Sequence, residues 1–364
     1  MVLRCGIVGL PNVGKSTLFN ALSLAGAESA NYPFCTIEPN IGVVPIPDPR
    51  LHRLSEINGS PKTTSTTIEF VDIAGLVSGA SRGDGLGNQF LSHIREVDAI
   101  VHVVRCFEDA NVVHISETVD PKRDIEIIET ELMLKDLESI ERRIERTDKQ
   151  AKSGDKKIQG ELAFYQRLQA HLAEGFPVRF FEYREGEAAY LKALFLLSGK
   201  PVLYAANVGE EDLPDGNAYA ESVREIAAEE NAKVIVVSAE QEAQIAELVS
   251  DEQMVFLEEL GLHESGLDRL IHATYELLGL ITFFTSGPKE SRAWTIRKGI
   301  KAPQAAGEIH TDFERGFIRA ETIKFEAFDT YGGEVAAREA GAMRSEGKEY
   351  VVQDGDVIYF RFNV

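Results

Sequence analysis

The stretch Gly9-Leu10-Pro11-Asn12-Val13-Gly14-Lys15-Ser16 closes an apolar run and opens onto helix-like residues 17–22. Glycines let backbone N–H groups close around phosphate oxygens, and a following helix N-terminus adds the positive end of its dipole. In such a loop Asn12, Val13, Gly14 and Thr17 line the phosphates, Lys15 neutralises β- and γ-phosphate charge, and the Ser16 hydroxyl ligates magnesium. Two later segments supply what phosphoryl transfer still requires. Thr36, in Tyr32-Pro33-Phe34-Cys35-Thr36-Ile37, can complete the magnesium shell when a γ-phosphate is present. Asp72 ends an apolar strand and can hold magnesium through water, while the Gly75 N–H can contact the γ-phosphate. Four glycines between Gly79 and Gly87 then predict a mobile, nucleotide-sensitive segment.

The base reader is Asn207-Val208-Gly209-Glu210, which follows the apolar run 201–206. A guanine reader would carry lysine and aspartate at the second and fourth positions. Its carboxylate accepts from guanine N1–H and the exocyclic amine, whereas adenine offers a lone pair at N1 and no amine at C2. Here Glu210 is one methylene longer than aspartate, and Val208 lacks the lysine stem that packs along a base. Asn207 can still bond the N7 edge common to both purines, and Ser238-Ala239 fits a loop whose backbone N–H groups close over the base. A site built for one hydrogen-bond pattern rejects another strongly, so ATP is the expected ligand.

Hydrolysis requires an oriented water. Many GTPases place a glutamine directly after Asp-x-x-Gly for this purpose; here the residue is Leu76, which has no hydrogen bond to offer. The vacancy calls for a substitute side chain, a potassium ion held near Asn12, or a partner protein. Among eight histidines, His114 is the candidate, in the loop leaving the run 99–104 at its C-terminal end, the edge where open α/β sheets bind ligands.

The elements that position these residues follow from periodicity. β-rich runs at 5–8, 66–71, 99–104, 201–206 and 233–237 alternate with helix-like stretches, the pattern of a parallel sheet covered by helices. Between the third and fourth runs, Ile125, Ile128, Leu132, Leu137, Ile140 and Ile144 recur at mostly three- and four-residue steps. Ser153-Gly154-Asp155 breaks that series, and Ile158, Leu162, Tyr165, Leu168 and Leu172 resume it. This predicts an antiparallel helical hairpin, at about 120–200, inserted into an α/β domain spanning 1–280. Beyond Gly279 the composition turns to Phe, Thr, Gly and Tyr with short breaks, predicting a small β-rich domain over 281–364.

Composition sets outer bounds. The net charge of −21 argues against binding nucleic acid with the whole surface, and DNA is not an expected partner. The charge is uneven: residues 281–364 hold 12 basic against 13 acidic side chains, net −1, which leaves −20 for residues 1–280. Lys289, Arg292, Arg297, Lys298 and Lys301 cluster with Trp294 against the single Glu290, so an RNA contact is expected there. Three cysteines, Cys5, Cys35 and Cys106, read as reduced thiols. No run of about 18 apolar residues could span a bilayer, and a cytoplasmic location with no membrane partner is expected.

The runs NYPFCTIEPNIGVV and DIAGLVSGASRGDGLGNQFLSHIREVDAIVHVVRCF, the tetrad NVGE and the terminal IHTDFERGFIRAE closely resemble the Obg-like ATPases, the YchF branch of the translation-factor-related P-loop GTPases. The resemblance runs along essentially the whole chain. It implies a P-loop NTPase (G-domain-like) α/β domain carrying the helical hairpin, a C-terminal β-grasp TGS domain, a preference for ATP over GTP, and the ribosome as partner. Rival readings are a nucleotide-gated adaptor with negligible turnover and a true GTPase.

Overall fold

The computed structural model describes residues 3–27, 40–73, 85–109, 111–112, 118–259 and 261–363. Among them run twelve strands: β1 Arg4–Val8, β2 Ile41–Pro45, β3 Thr63–Thr64, β4 Thr67–Asp72, β5 Ala99–Arg105, β6 Val202–Asn207, β7 Lys233–Val237, β8 Leu280–Ser286, β9 Ser291–Arg297, β10 Phe317–Lys324, β11 Arg344–Glu346 and β12 Asp356–Phe362. They form two six-stranded sheets, in two compact units.

The first unit covers 1–43 and 69–274. Its sheet has the order β2-β4-β1-β5-β6-β7, and β4, β1, β5, β6 and β7 pair in parallel. Central strands of a parallel sheet are covered on both faces and so read as continuous apolar runs. AIVHVVR of β5 and VLYAAN of β6 are buried at every position, for this reason. The strands leave the sheet with their carboxyl ends along one edge, where Asp72 ends β4 and Gly9, Cys106, Val208 and Ser238 begin the segments that follow β1, β5, β6 and β7. All five runs read from the sequence are strands, displaced by no more than a residue or two at their ends.

The long charged insertion is a pair of helices, Pro121–Ala151 and Lys156–Ala173. Each begins on an aspartate whose side chain accepts from a backbone N–H of the first turn: Asp120 from Arg123 and Asp155 from Lys157. Gly154, at φ 83°, makes the reversal between them. Arg143 meets Glu161 at 3.3 Å and Gln169 meets Glu141 at 3.5 Å, a pairing that runs antiparallel. Ile140, Tyr165, Leu168 and Leu172, members of the expected series, form the seam together with Phe164, which the series did not include. Two polar anchors tie this pair to the rest of the unit. Buried Asp136 accepts from the Leu197 and Ser198 backbone N–H groups, both at 2.8 Å, and from Ser198 Oγ at 2.7 Å. Arg179 lies between Glu129, at 2.5 Å, and Glu230, at 2.9 Å.

The second unit comprises 44–68 and 275–364. Its sheet has the order β11-β10-β12-β8-β9-β3 and mixes parallel with antiparallel pairs. Residues 44–68, which the sequence reading left inside the 1–280 domain, are placed here by their contacts. Leu51 and Leu54 of helix Pro49–Asn58 pack with Phe284, Ile323, Phe328 and Val357, and β3 adds an edge strand parallel to β9. Glu290, the lone acid of the basic cluster, is held by Lys62 at 2.9 Å and by Thr64 Oγ1 at 2.7 Å. Lys289, Arg297, Lys298 and Lys301 are exposed, Arg292 stacks over Trp294 at 4.0 Å, and Lys301 pairs with Glu349.

Candidate functional site

The phosphate loop turns between β1 and helix Lys15–Ala27, and two of its residues occupy the left-handed backbone region: Asn12 at φ 62° and Gly14 at φ 94°. Gly14 must be glycine on two grounds. A Cβ there would be strained by its φ and would lie 2.3 Å from Asn207 Nδ2. The close approach has a purpose, because Asn207 Nδ2 donates to the Val13 carbonyl at 2.9 Å while its Oδ1 accepts from the Ala239 N–H at 2.9 Å. One buried amide thus ties the phosphate loop to the loop after β7. Its second Nδ2 hydrogen remains for a base edge.

Lys15 is buried, and its Nζ donates to the Leu10 carbonyl at 2.9 Å. Desolvation pulls its pKa below the ordinary lysine value, against the opposing charge of Asp72. Ser16 Oγ donates to Asp72 Oδ2 at 3.2 Å. The other carboxylate oxygen, Asp72 Oδ1, is buried with no hydrogen-bond partner among the described residues. An orphaned buried oxygen is costly unless something polar completes it, and a magnesium ion with its waters beside Ser16 and Asp72 fits that requirement. No group of three His, Cys, Asp or Glu side chains among the described residues could hold a metal by itself. Magnesium would therefore draw its remaining ligands from phosphates and water, as it commonly does.

A cavity of about 740 Å³ opens beside the loop. Asn12, Gly14, Thr17, Asn207, Val208, Glu210, Ser238 and Ala239 line it, bringing together residues far apart in sequence, while Val13, Lys15 and Ser16 are not among its lining residues. One detail differs from the sequence reading. The Ala239 N–H is committed to Asn207 and does not face a base. Val208 is only 2% exposed, its N–H bonded to the Val237 carbonyl at 2.9 Å. Val208 thus holds the tetrad to β7 and offers no stem along a base plane. Glu210 is exposed at the start of a short 3-10 turn, Glu210–Asp212. With Glu108, Asp109, Glu211 and Glu240 it gives the cavity an acidic rim remote in sequence from Lys15.

Thr36, Gly75, Leu76 and His114 lie outside the described residues, as does most of the glycine-rich segment. What the sequence reading missed is the opposite wall of the cavity, formed by the segment after β5 that includes Phe107, Asp109, Asn111 and Val112. A signal was present in Arg105, a cation closing an otherwise apolar strand.

A family model described as "50S ribosome-binding GTPase" matches residues 4–148, and the YchF-GTPase C-terminal model, described as "Protein of unknown function (DUF933)", matches residues 280–363. Curated proteins from Bacillus subtilis (strain 168) and Escherichia coli O157:H7, both named "Ribosome-binding ATPase YchF", are 58% identical to the chain, which covers 100% of each as they cover 100% of it. The chain belongs to the YchF family. A solved structure described as "Structure of the Schizosaccharomyces pombe YchF GTPase" superposes with a TM-score of 0.90 at 39% identity, covering 99% of this chain and 97% of that one. A GTP binding protein from Pyrococcus horikoshii OT3, at 20% identity and a TM-score of 0.62, shares the fold. The relatives' names thus divide between ATPase and GTPase, and the base pocket is where this YchF chain must decide between them.

Proposed function

We infer that this chain is an ATP-hydrolysing switch protein that associates with ribosomes. The observation that carries the reading is the position of the NVGE tetrad. Its asparagine is bonded into the phosphate loop while Glu210 stands exposed on the rim of the same cavity, without the aspartate and lysine that grip guanine. The names of the full-length relatives support both the ATPase activity and the ribosomal partner, and a ribosomal partner supports a cytoplasmic location. The second unit is a β-grasp TGS module in this reading. Ser16 and Asp72, with Thr36 joining when a γ-phosphate is present, would hold magnesium, which would supply charge neutralisation for the transferred phosphoryl group. Lys15 turns from Leu10 to the β- and γ-phosphates, the Gly75 N–H contacts the γ-phosphate, and Asn207 takes the N7 edge of adenine. Phosphate release from ATP, measured with and without ribosomes, tests the assignment. Turnover that ribosomes alter supports a switch, and no turnover under either condition would leave a nucleotide-gated adaptor.

Leu76 leaves the attacking water without an orienting group, and His114 is the side chain proposed to supply it, ahead of a potassium ion near Asn12 or a group from a partner. Phosphoryl transfer asks mainly for positioning, so one polar group near the γ-phosphate changes turnover far more than affinity. His114→Ala is expected to keep ATP affinity near normal and to lower hydrolysis on the order of 10²-fold. Parent-level hydrolysis by His114→Ala under saturating magnesium and potassium would remove the histidine from the mechanism.

The ribosomal contact is assigned to the basic cluster of the second unit. Deleting 281–364 is a poor test, because it would uncover Leu51 and Leu54 and leave β3 without its partner strand. The triple substitution Lys289→Gln, Arg297→Gln and Lys298→Gln removes exposed charge only. Ribosome association is expected to weaken on the order of 10-fold and to lose part of its salt dependence, with ATP turnover in the absence of ribosomes unchanged. Unaltered association at several salt concentrations would move the contact elsewhere on the chain.

A further inference from the structure

We propose that Arg105 is a positioning residue of the nucleotide pocket, whose guanidinium holds Phe107, Asp109 and Val112 as a preformed wall of the cavity that Asn207 also lines. Arg105 is the last residue of β5, only 2% exposed, and pairs in register with Asn207 at the end of β6. Neighbouring strand ends thus carry two braces of the cavity: Asn207 ties down the phosphate loop, and Arg105 ties down the segment that follows β5.

No carboxylate pairs with Arg105 among the described residues. Its donors go instead to three carbonyls of the segment that follows it: Nε to Phe107 at 3.1 Å, Nη1 to Val112 at 3.0 Å and Nη2 to Asp109 at 3.4 Å. The guanidinium also stacks over the Phe107 ring, 4.6 Å from its centroid. A full charge taken out of water and answered only by neutral dipoles is an expensive way to end a strand. It gives the fold a planar fork that fixes three points of one loop at once.

The neighbouring contacts serve the same wall. The Cys106 peptide is held on both sides, its N–H by the Asn207 carbonyl and its carbonyl by Asn217 Nδ2, each at 2.8 Å. Tyr219 OH donates to Glu108 Oε1 at 2.6 Å, and Asp109 Oδ1 accepts from the Asn111 N–H at 2.8 Å. Phe107, Glu108, Asp109, Asn111 and Val112 line the cavity in this fixed arrangement. A wall ordered before the ligand arrives spares the nucleotide the entropy of ordering it, so the benefit appears in affinity.

The inference rests on the reading of this cavity as the ATP site, and the test separates the two with the full chain. ATP-analogue affinity, KM and kcat are measured for Arg105→Met, which keeps the apolar stem, and for Arg105→Lys, which keeps the charge but offers a single point donor. Both are expected to raise the Kd and KM for ATP on the order of 10-fold, with the loss falling on KM rather than kcat. Phe107→Leu removes the ring beneath the guanidinium but keeps Arg105 and its carbonyl partners, and is expected to shift KM in the same direction, which keeps the test decisive if an Arg105 variant fails to fold. Lys15→Ala is the control for the site. If Lys15→Ala loses ATP while folded Arg105→Met binds it like the parent, the inference about Arg105 is wrong and the site stands. If Lys15→Ala binds ATP like the parent, the site reading falls and the inference falls with it.

Discussion

Lys15→Ala is expected to abolish magnesium-ATP binding and hydrolysis while leaving a folded protein. The ammonium is buried beside Asp72 and, without phosphate, satisfies itself on the Leu10 carbonyl. Burial lowers its pKa, which means the charged form is disfavoured in the empty site. The sign follows from linkage: with the folded pKa below the unfolded one, the unfolded chain binds the extra proton between the two values, so stability rises with pH across that window. At neutral pH the buried charge is therefore a burden on the empty protein, and alanine removes it. The melting temperature of the empty variant should stay close to the parent's. Phosphate reverses the balance by favouring the ammonium, so ATP affinity in the parent should weaken with rising pH before an ordinary lysine would lose its proton. Calorimetric titration of the folded variant with magnesium-ATP checks the claim. Parent-like binding would show that this loop does not hold the phosphates.

Asn207→Ala is expected to cost both affinity and stability. Two buried bonds depend on this one amide, to the Val13 carbonyl and from the Ala239 N–H. Truncation leaves both backbone groups unpaired, at about 1–3 kcal/mol each, and opens space beside Gly14, whose Cα approaches the amide too closely for a side chain. The phosphate loop loses its brace and the base its N7 partner together. ATP affinity should fall on the order of 10²-fold, the equivalent of about 2.7 kcal/mol, with a lowered melting temperature. Asp at 207 keeps an acceptor for Ala239 but presents no donor to Val13, so Asn207→Asp should recover stability only in part and affinity hardly at all. A variant with a lowered melting temperature and parent affinity would confine Asn207 to a structural role.

The parts of this site that were legible in the sequence are those whose chemistry needs particular residues at fixed local spacing. The phosphate loop is of that kind, since Gly14, Lys15 and Ser16 act within one turn, and so is Asp72 at a strand end. The helical pair was legible because Ile125 to Ile144 and Ile158 to Leu172 repeat with the period of a helix. Contacts made by backbone groups were not legible, because every residue carries the same N–H and C=O. Arg105 reaching three carbonyls, and Ala239 donating to Asn207 in place of a base, have no sequence signature. The placement of 44–68 depended on pairing across the length of the chain: Thr63–Thr64 is too short to declare itself a strand until Ser291 and Arg292 lie beside it. Leu51 and Leu54 look like any helix core until the second unit's Phe284 and Phe328 pack against them.

The central claim is that the pocket takes adenine and that the chain hydrolyses what it binds. Phosphate release by the purified full chain, followed with ATP or GTP as the sole nucleotide across matched concentrations in saturating magnesium and potassium, tests both parts in one series. The account predicts turnover of ATP with a kcat/KM above that of GTP, and its disappearance in Lys15→Ala. A kcat/KM for GTP exceeding that for ATP would contradict it, because Glu210 would then be reading guanine from the rim where the structure places it.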